Sequence, residues 1–316
     1  MVEPEQAIFV FEVFDDFDGN VHLFYGMPKM IRAEQVTDSI AYHGEGPFWD
    51  ARTKRLLMLD VLVGNVVTFD EYGNVKRYDL PSPVATVIRR RTSGGFVIAT
   101  EREVIVADED FTTFETVVSL DTSPLLRTND GGCDLSGAFI IGTMSYDASE
   151  AKGSVYRVSS EGNIQELKSG VTISNGVQWS RNGEKVFYID TPTRRVDSFK
   201  VDVETGEWSE QKCHIEIEER FGSPDGMAID SEGGLWIALW GGGAVNHYNS
   251  SGQLQESIAI PGVSQVSSCA FGGSDNRTLF VTTSRQGIPD DEEPGAGALF
   301  AVKVGLPGAN VFEFSG

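Results

Sequence analysis

Six strand-like pentamers recur along this chain, at residues 56–60, 96–100, 139–143, 186–190, 235–239 and 279–283. They begin 40, 43, 47, 49 and 44 residues apart. A repeat of that length with several short strands per unit predicts an all-β fold, a six-bladed β-propeller with four-stranded blades around a central channel. Ten or eleven residues before each pentamer stands a residue at the same phase: Glu45, Thr86, Asn129, Asn175, Asp225 and Ser268. Equal phase means equal place in the blade, so these side chains are expected to ring one mouth of the channel.

The fifth repeat shows the unit. A first strand, Asp225-Gly226-Met227-Ala228-Ile229-Asp230, meets the turn Ser231-Glu232-Gly233-Gly234. The apolar pentamer 235–239 follows, then a break at Gly241-Gly242-Gly243, a third strand at 244–248 and an outer strand at 254–260. Third strands are expected also at 66–70, 104–108, 154–158, 196–201 and 298–304, and outer strands at 75–80, 114–120, 164–168 and 208–215. The sixth outer strand must come from a terminus, either 311–314 or the segment near 30–36, which would close the ring and hide its edges. Residues 29–316 thus read as one propeller domain. Residues 1–28 lie outside the pattern, where Asp18-Gly19-Asn20 between the apolar stretches 8–11 and 21–25 signals an extra hairpin. Loops at 145–152 and 287–295 are expected to overhang the same mouth as the phased ring.

Two carboxylates and one or two carboxamides in that ring make an all-oxygen donor set. Such a set suits one divalent cation, Ca²⁺ first, with Mg²⁺, Mn²⁺ or Zn²⁺ as alternatives. Asn129 stands either as a further ligand or facing a substrate. An Asn-Gly or Asp-Gly pair is by itself only a turn signal; the shared phase is what argues for more. His43 lies two residues from Glu45 and reads as a ligand's neighbour or as a plain surface or core histidine. The four histidines lack zinc-site spacing, and no GxSxG, P-loop or HExxH motif occurs.

Twenty-five basic against 47 acidic residues give a net charge of −22. Such a surface repels phosphate backbones and anionic lipid, so neither nucleic acid nor membrane is an expected partner; a small molecule is. No apolar run reaches the 18 or so residues of a membrane span. Three cysteines without CxxC spacing suggest neither a disulfide framework nor a thiolate metal site. The first residues lack a basic secretory leader, so a cytoplasmic location is expected. The spacing leaves the oligomeric state open.

At these residues the chain resembles the regucalcin (senescence marker protein), gluconolactonase and luciferin-regenerating-enzyme family. The resemblance is carried by Gly44-Glu45-Gly46-Pro47-Phe48-Trp49-Asp50, Arg127-Thr128-Asn129-Asp130-Gly131, Ile173-Ser174-Asn175-Gly176, Pro224-Asp225-Gly226-Met227 and Ser268-Cys269-Ala270-Phe271-Gly272-Gly273. It implies a metal-dependent hydrolase opening a sugar lactone or similar cyclic ester. Glu45, Asn175 and Asp225 then look like the metal ligands, Asp225 also like the catalytic base, and Arg127 and Asn129 like substrate contacts. After Gly142-Thr143-Met144 such proteins carry a glutamate that touches the sugar. Here the stretch is Ser145-Tyr146-Asp147, so Asp147 is the expected but shorter substrate contact, which implies a larger or less hydroxylated lactone. A hydrolase for another ester class, such as an organophosphate triester, is the alternative enzyme, and a non-catalytic calcium-binding propeller the alternative from a different class.

Overall fold

A computed structural model of the chain describes residues 13–15, 21–23, 29–120, 123–289 and 291–316. Six sheets surround a central channel, and each blade has four antiparallel strands, A innermost to D outermost. Blade one is Gly44–Asp50, Arg55–Asp60, Asn65–Asp70 and Val75–Asp79. Blade two is Ala85–Arg90, Phe96–Thr100, Glu103–Ala107 and Phe114–Ser119. Blade three is Leu126–Cys133, Phe139–Ser145, Gly153–Val158 and Ile164–Val171. Blade four is Ser174–Trp179, Lys185–Asp190, Arg195–Val201 and Trp208–Glu216. Blade five is Ser223–Ile229, Leu235–Trp240, Ala244–Tyr248 and Leu254–Ala259, and blade six opens with Val266–Gly272, Thr278–Thr283 and Ala298–Lys303. Helical backbone among the described residues is confined to the 3-10 turns Thr191–Thr193 and Glu219–Phe221. The chain is a six-bladed β-propeller.

The B strands explain the apolar pentamers. In blade one, Leu57 and Leu59 pack towards blade two while Leu56 and Met58 pack towards blade six. In blade five, Trp236 and Ala238 face blade six while Leu235, Ile237 and Leu239 face blade four. A period-two strand covered on both faces must be apolar at every position. Full burial of each such aliphatic side chain stabilises by about 1.5–3 kcal/mol. One cluster of this kind fills each of the six gaps between blades.

The ring is closed by the N-terminal side of the chain. Glu34–Ser39 forms the D strand of blade six, antiparallel to Ala298–Lys303 with Phe300 opposite Gln35. Residues 311–314, the alternative closing strand, do something else. The tail from residue 304 onward crosses the underside of the propeller. Ser231 N donates to Pro307 O and Ala309 N to Ile229 O under blade five; Phe314 N donates to Arg90 O and Ser315 N to Gly137 O under blades two and three. Phe314 is buried in the gap between those two blades. A short strand ahead of the closing strand, Lys29–Arg32, adds in parallel to the outer edge of blade five. Of the N-terminal hairpin, the described part pairs Val13–Asp15 with Val21–Leu23. Its expected first strand at 8–11 and its turn at 18–20 lie outside the described residues.

Candidate functional site

Every A strand breaks its pairing register at or next to the phased residue. The breaks fall between Glu45 and Phe48, at Thr86, between Thr128 and Gly131, between Asn175 and Val177, between Pro224 and Met227, and between Val266 and Ser268. A bulge re-aims side chains and tightens local twist, and six at one level turn a ring of residues towards the mouth.

The glycines after Asn175 and Asp225 are not turn residues. Both lie inside A strands, and their positions are set by close approach. A Cβ on Gly176 would stand 2.9 Å from Asp225 O, and one on Gly226 would stand 2.1 Å from Ser268 Oγ. Missing Cβ atoms let neighbouring inner strands come together so that adjacent ring residues can meet.

The ring residues do meet. Asn129 Nδ2 donates to Asn175 Oδ1 at 3.0 Å and to Ser174 O at 2.8 Å. Asn175 Nδ2 donates to Thr191 Oγ1 at 2.7 Å, and Thr191 donates on to Pro224 O at 2.8 Å, beside Asp225. Arg127 is buried, and its Nη1 donates to Asn129 Oδ1 at 2.7 Å and to Thr128 O at 2.8 Å. Glu45 accepts from Gly46 N at 2.8 Å. Of the other two phased residues, Thr86 shares a hydrogen bond with Thr128 at 2.8 Å, and Ser268 lines the channel below the ring.

The electrostatics of this cluster are those of anions held without enough counter-charge. Burial, then repulsion from Asp130, pushes the Glu45 carboxyl up to about 8. Burial, then Glu45 and Asp130, raises Asp225 well above the carboxylate range. Asp130 itself is pushed by burial to about 6. Arg127 eases Glu45 and Asp225 without cancelling their mutual repulsion. A buried carboxylate pair shifts in this way when nothing positive sits between its members.

Among the described residues no group of three or more His, Cys, Asp and Glu side chains is gathered to hold a metal ion. The candidate set differs in kind, with two carboxylates, Glu45 and Asp225, and the Asn175 amide oxygen. All three are hard oxygen donors on rigid strands, and the uncompensated charge of the two acids is what a divalent cation would neutralise. The residues present therefore fit such an ion.

Asp147 is not brought to this cluster. It is exposed, and its Oδ1 accepts from Ser149 N at 3.1 Å and Ser149 Oγ at 2.7 Å, so the carboxylate turns back on its own loop. Three other residues do lie at the mouth. His43 is buried, with Nδ1 2.8 Å from Ser284 Oγ and its ring edge-on to Trp240 at 5.7 Å. Burial, then the nearby Arg127, lowers its pKa to about 3, so it is a neutral imidazole. Glu101 accepts the phenolic proton of Tyr146 at 2.5 Å. The signal for one of these, Glu101, was in the repeat: the residue just past each pentamer is Val61, Glu101, Met144, Thr191, Trp240 or Ser284. Of these, Thr191 bonds Asn175, Trp240 and Ser284 contact His43, and Glu101 bonds Tyr146.

Residues 43–285 match the model of the SMP-30/Gluconolactonase/LRE-like region. The chain belongs to this family. It is 31% identical over 284 residues to a Bacillus subtilis (strain 168) protein provisionally named sugar lactone lactonase YvrE, covering 88% of this chain and 97% of that one. It is 30% identical over 298 residues to regucalcin of Bos taurus, covering 90% and 99% of the two chains. A solved structure of a calcium-binding protein, regucalcin from Agrobacterium tumefaciens str. C58, superposes with a TM-score of 0.86 at 25% identity, covering 91% of this chain and 99% of that one. The family suggests lactone hydrolysis. Among the described residues no helix is long and apolar enough to cross a membrane.

Proposed function

We propose that this protein is a divalent-metal-dependent lactonase, opening a sugar lactone or similar cyclic ester to its hydroxy acid. The observation that carries the reading is the pair of buried, mutually repelling carboxylates, Glu45 and Asp225, facing one buried arginine at the channel mouth. Glu45, Asn175 and Asp225 would hold one cation, with calcium first on the chemistry of the donors. Bound there, a divalent cation supplies polarisation of the ester carbonyl and compensation of the charge developing on its oxygen.

The chain's own residues provide the rest. Asp225 accepts a proton from the water that attacks the carbonyl carbon, and returns it to the ring oxygen as the C–O bond breaks. General base help of this kind is typically worth about 100- to 10,000-fold. Arg127, with Nη1 engaged by Thr128 and Asn129, presents Nε and Nη2 to substrate oxygens. Asn129 Nδ2 takes one lone pair of the Asn175 amide oxygen and leaves the other for a cation, while the Asn175 Nδ2 donates to Thr191 Oγ1. Neutral His43 and Trp240 wall one side. In this reading residues 29–316 act as one catalytic unit and 1–28 stand outside it. The free cysteines Cys133, Cys213 and Cys269 support a reducing compartment such as the cytoplasm.

The test is metal analysis of the purified chain followed by a pH-indicator assay on a panel of lactones, with and without chelator. Lactone opening that chelator abolishes and a divalent cation restores is the expected result. Turnover indifferent to chelator would remove the metal from the reaction. Cleavage of phosphotriesters but not lactones would favour the other ester class, and bound calcium without any turnover the non-catalytic reading.

A further inference from the structure

Above Arg127 stand two polar side chains that the reaction itself does not use. Glu101 comes from the B–C corner of blade two and Tyr146 from the corresponding corner of blade three. The pair is built into the fold. Thr128 N donates to Glu101 O at 2.9 Å, tying the glutamate's backbone to the strand that carries Arg127. Tyr146 N donates to Leu125 O at 3.0 Å, and Arg127 pairs across the sheet with Met144. The phenol then closes the span by donating to Glu101 Oε1 at 2.5 Å. Burial, then this bond to Glu101, pushes the phenol up to about 12, so it stays a donor at neutral pH; Arg127 is close enough to oppose that shift.

Exposure rises outward along this line, from 7% for Arg127 to 49% for Tyr146, with the Glu101 side chain at 27% between them. A molecule entering the mouth therefore meets the carboxylate and the phenol before the arginine. A carboxylate offers roughly four lone-pair sites. Glu101 spends one on Tyr146, while Arg102 stands off at 3.6 Å from Oε2, too far for a hydrogen bond. Acceptors on Glu101, an amphoteric hydroxyl on Tyr146 and free donors on Arg127 are the combination that several adjacent alcohols can satisfy. A bare hydrocarbon ring would bury these groups unpaired, which is disfavoured.

We propose that Glu101 and Tyr146, set over Arg127, form the subsite that reads substrate hydroxyl groups and makes this protein selective for polyhydroxylated lactones over unsubstituted ones. The proposal rests on the lactonase reading above and reverses the expectation of a less hydroxylated substrate drawn from Asp147. A carboxylate on the neighbouring blade stands at the mouth, while Asp147 is tied to Ser149.

The experiment compares the parent with Glu101→Ala, Glu101→Gln and Tyr146→Phe. One readout is the ratio of kcat/KM for D-glucono-1,5-lactone over δ-valerolactone, the same ring without hydroxyls. The other is the ratio of calorimetric affinities for gluconate and 5-hydroxypentanoate, the corresponding ring-opened acids, which needs no turnover. Glu101→Ala is expected to cut both ratios about tenfold, through the hydroxylated member alone. Glu101→Gln, which keeps an acceptor oxygen, and Tyr146→Phe are expected to cut them about threefold. Unchanged ratios in Glu101→Ala, or a parent that binds the two acids equally, would overturn the subsite. A parent that opens neither lactone yet shows the binding preference, lost in Glu101→Ala, would sink the lactonase reading and leave the subsite standing.

Discussion

The two ends of the channel handle buried charge in opposite ways. Towards the upper mouth, Glu45 and Asp225 are buried with half-buried Asp130 close by in the channel, and all three have raised pKa values. On the underside, acids are buried just as deeply but each has a partner. Asp50, 1% exposed, receives Arg90 Nε at 3.1 Å and Nη2 at 2.5 Å, and Arg90 also reaches Glu109 at 2.6 Å. Asp134 meets Arg157 Nε at 2.9 Å, and Asp230 has His247 Nε2 and Trp236 Nε1 each at 3.0 Å. Burial alone would raise Asp50 and Asp230, but hydrogen bonds from Arg90 and Thr53 to the one, and the His247 contact with a hydrogen bond from Trp236 to the other, bring both below the ordinary value. One fold thus carries two rims, one neutralised from within and one that awaits charge from outside. The lower rim fastens blades together; the upper rim holds the candidate site.

The sharpest way to break this comparison is to neutralise one acid of each kind. Asp225→Asn is expected to cut lactone turnover about 100- to 10,000-fold, since an amide cannot accept the proton. The same variant should leave the melting temperature of the chelator-treated protein unchanged or higher, because it removes a repelled charge. Wild-type turnover at full metal occupancy would strip Asp225 of its role.

On the underside the signs reverse. Arg90→Met abandons Asp50 in the interior, and breaking a buried pair from one side costs about 3–5 kcal/mol. Urea unfolding should show that loss, while kcat per folded molecule stays within about twofold, as sites this far apart usually act independently. A loss of activity without a loss of stability would mean that the two rims are not separate.

Gly226→Ala probes the packing that brings the upper rim together. Its Cβ would be driven to 2.1 Å from Ser268 Oγ, so the inner strands of blades five and six must part. Overpacking of this kind costs about 1–3 kcal/mol, and KM should rise with it. An alanine variant of parental stability and KM would show that close approach of these strands does not set the ring.

The legible part of the site was what repeats. Phase found Glu45, Asn129, Asn175 and Asp225 because each sits at or beside the register break in its own blade. The same logic carried one residue beyond the pentamers reaches Glu101, Thr191, Trp240 and Ser284, yet Glu101 belongs with Tyr146 only across a blade boundary, which no single repeat displays. Asp147 misled because a short local bond to Ser149, two residues on, competes with reaching the mouth. Asn-Gly and Asp-Gly read as turns in sequence, whereas the spacing between strands that makes glycine necessary at 176 and 226 is a tertiary quantity. The choice between two closing strands was likewise undecided locally. Glu34–Ser39 has an edge to join, and the tail instead has Phe314 to bury.

The most gradual expected effect is a pH drift of opposite sense at the two rims. Glu45 has its folded pKa raised from 4.5 to about 8, so without metal it favours the folded state less and less as pH climbs through that window. One proton sets a ceiling of about 1.4 kcal/mol per pH unit. Saturating divalent cation should flatten the slope, because the bound ion favours the ionised acid. Asp50 and Asp230 behave the other way: their contribution is present above 3.8 and is lost as pH falls through their depressed values. Urea titrations from about pH 2 to 9, with and without chelator, read both. A chelator-treated protein that gains stability between pH 5 and 8 would contradict the charge assignment at the mouth.

The tail that crosses beneath the blades has a consequence for traffic. Residues 309–312 line the lower channel together with parts of the inner strands, so the tail stands in the route from that side. On the proposed reading, product leaving by the upper mouth passes Tyr146 and Glu101. Departure and arrival then exclude each other, and the hydroxy acid should act as a purely competitive inhibitor of its own lactone.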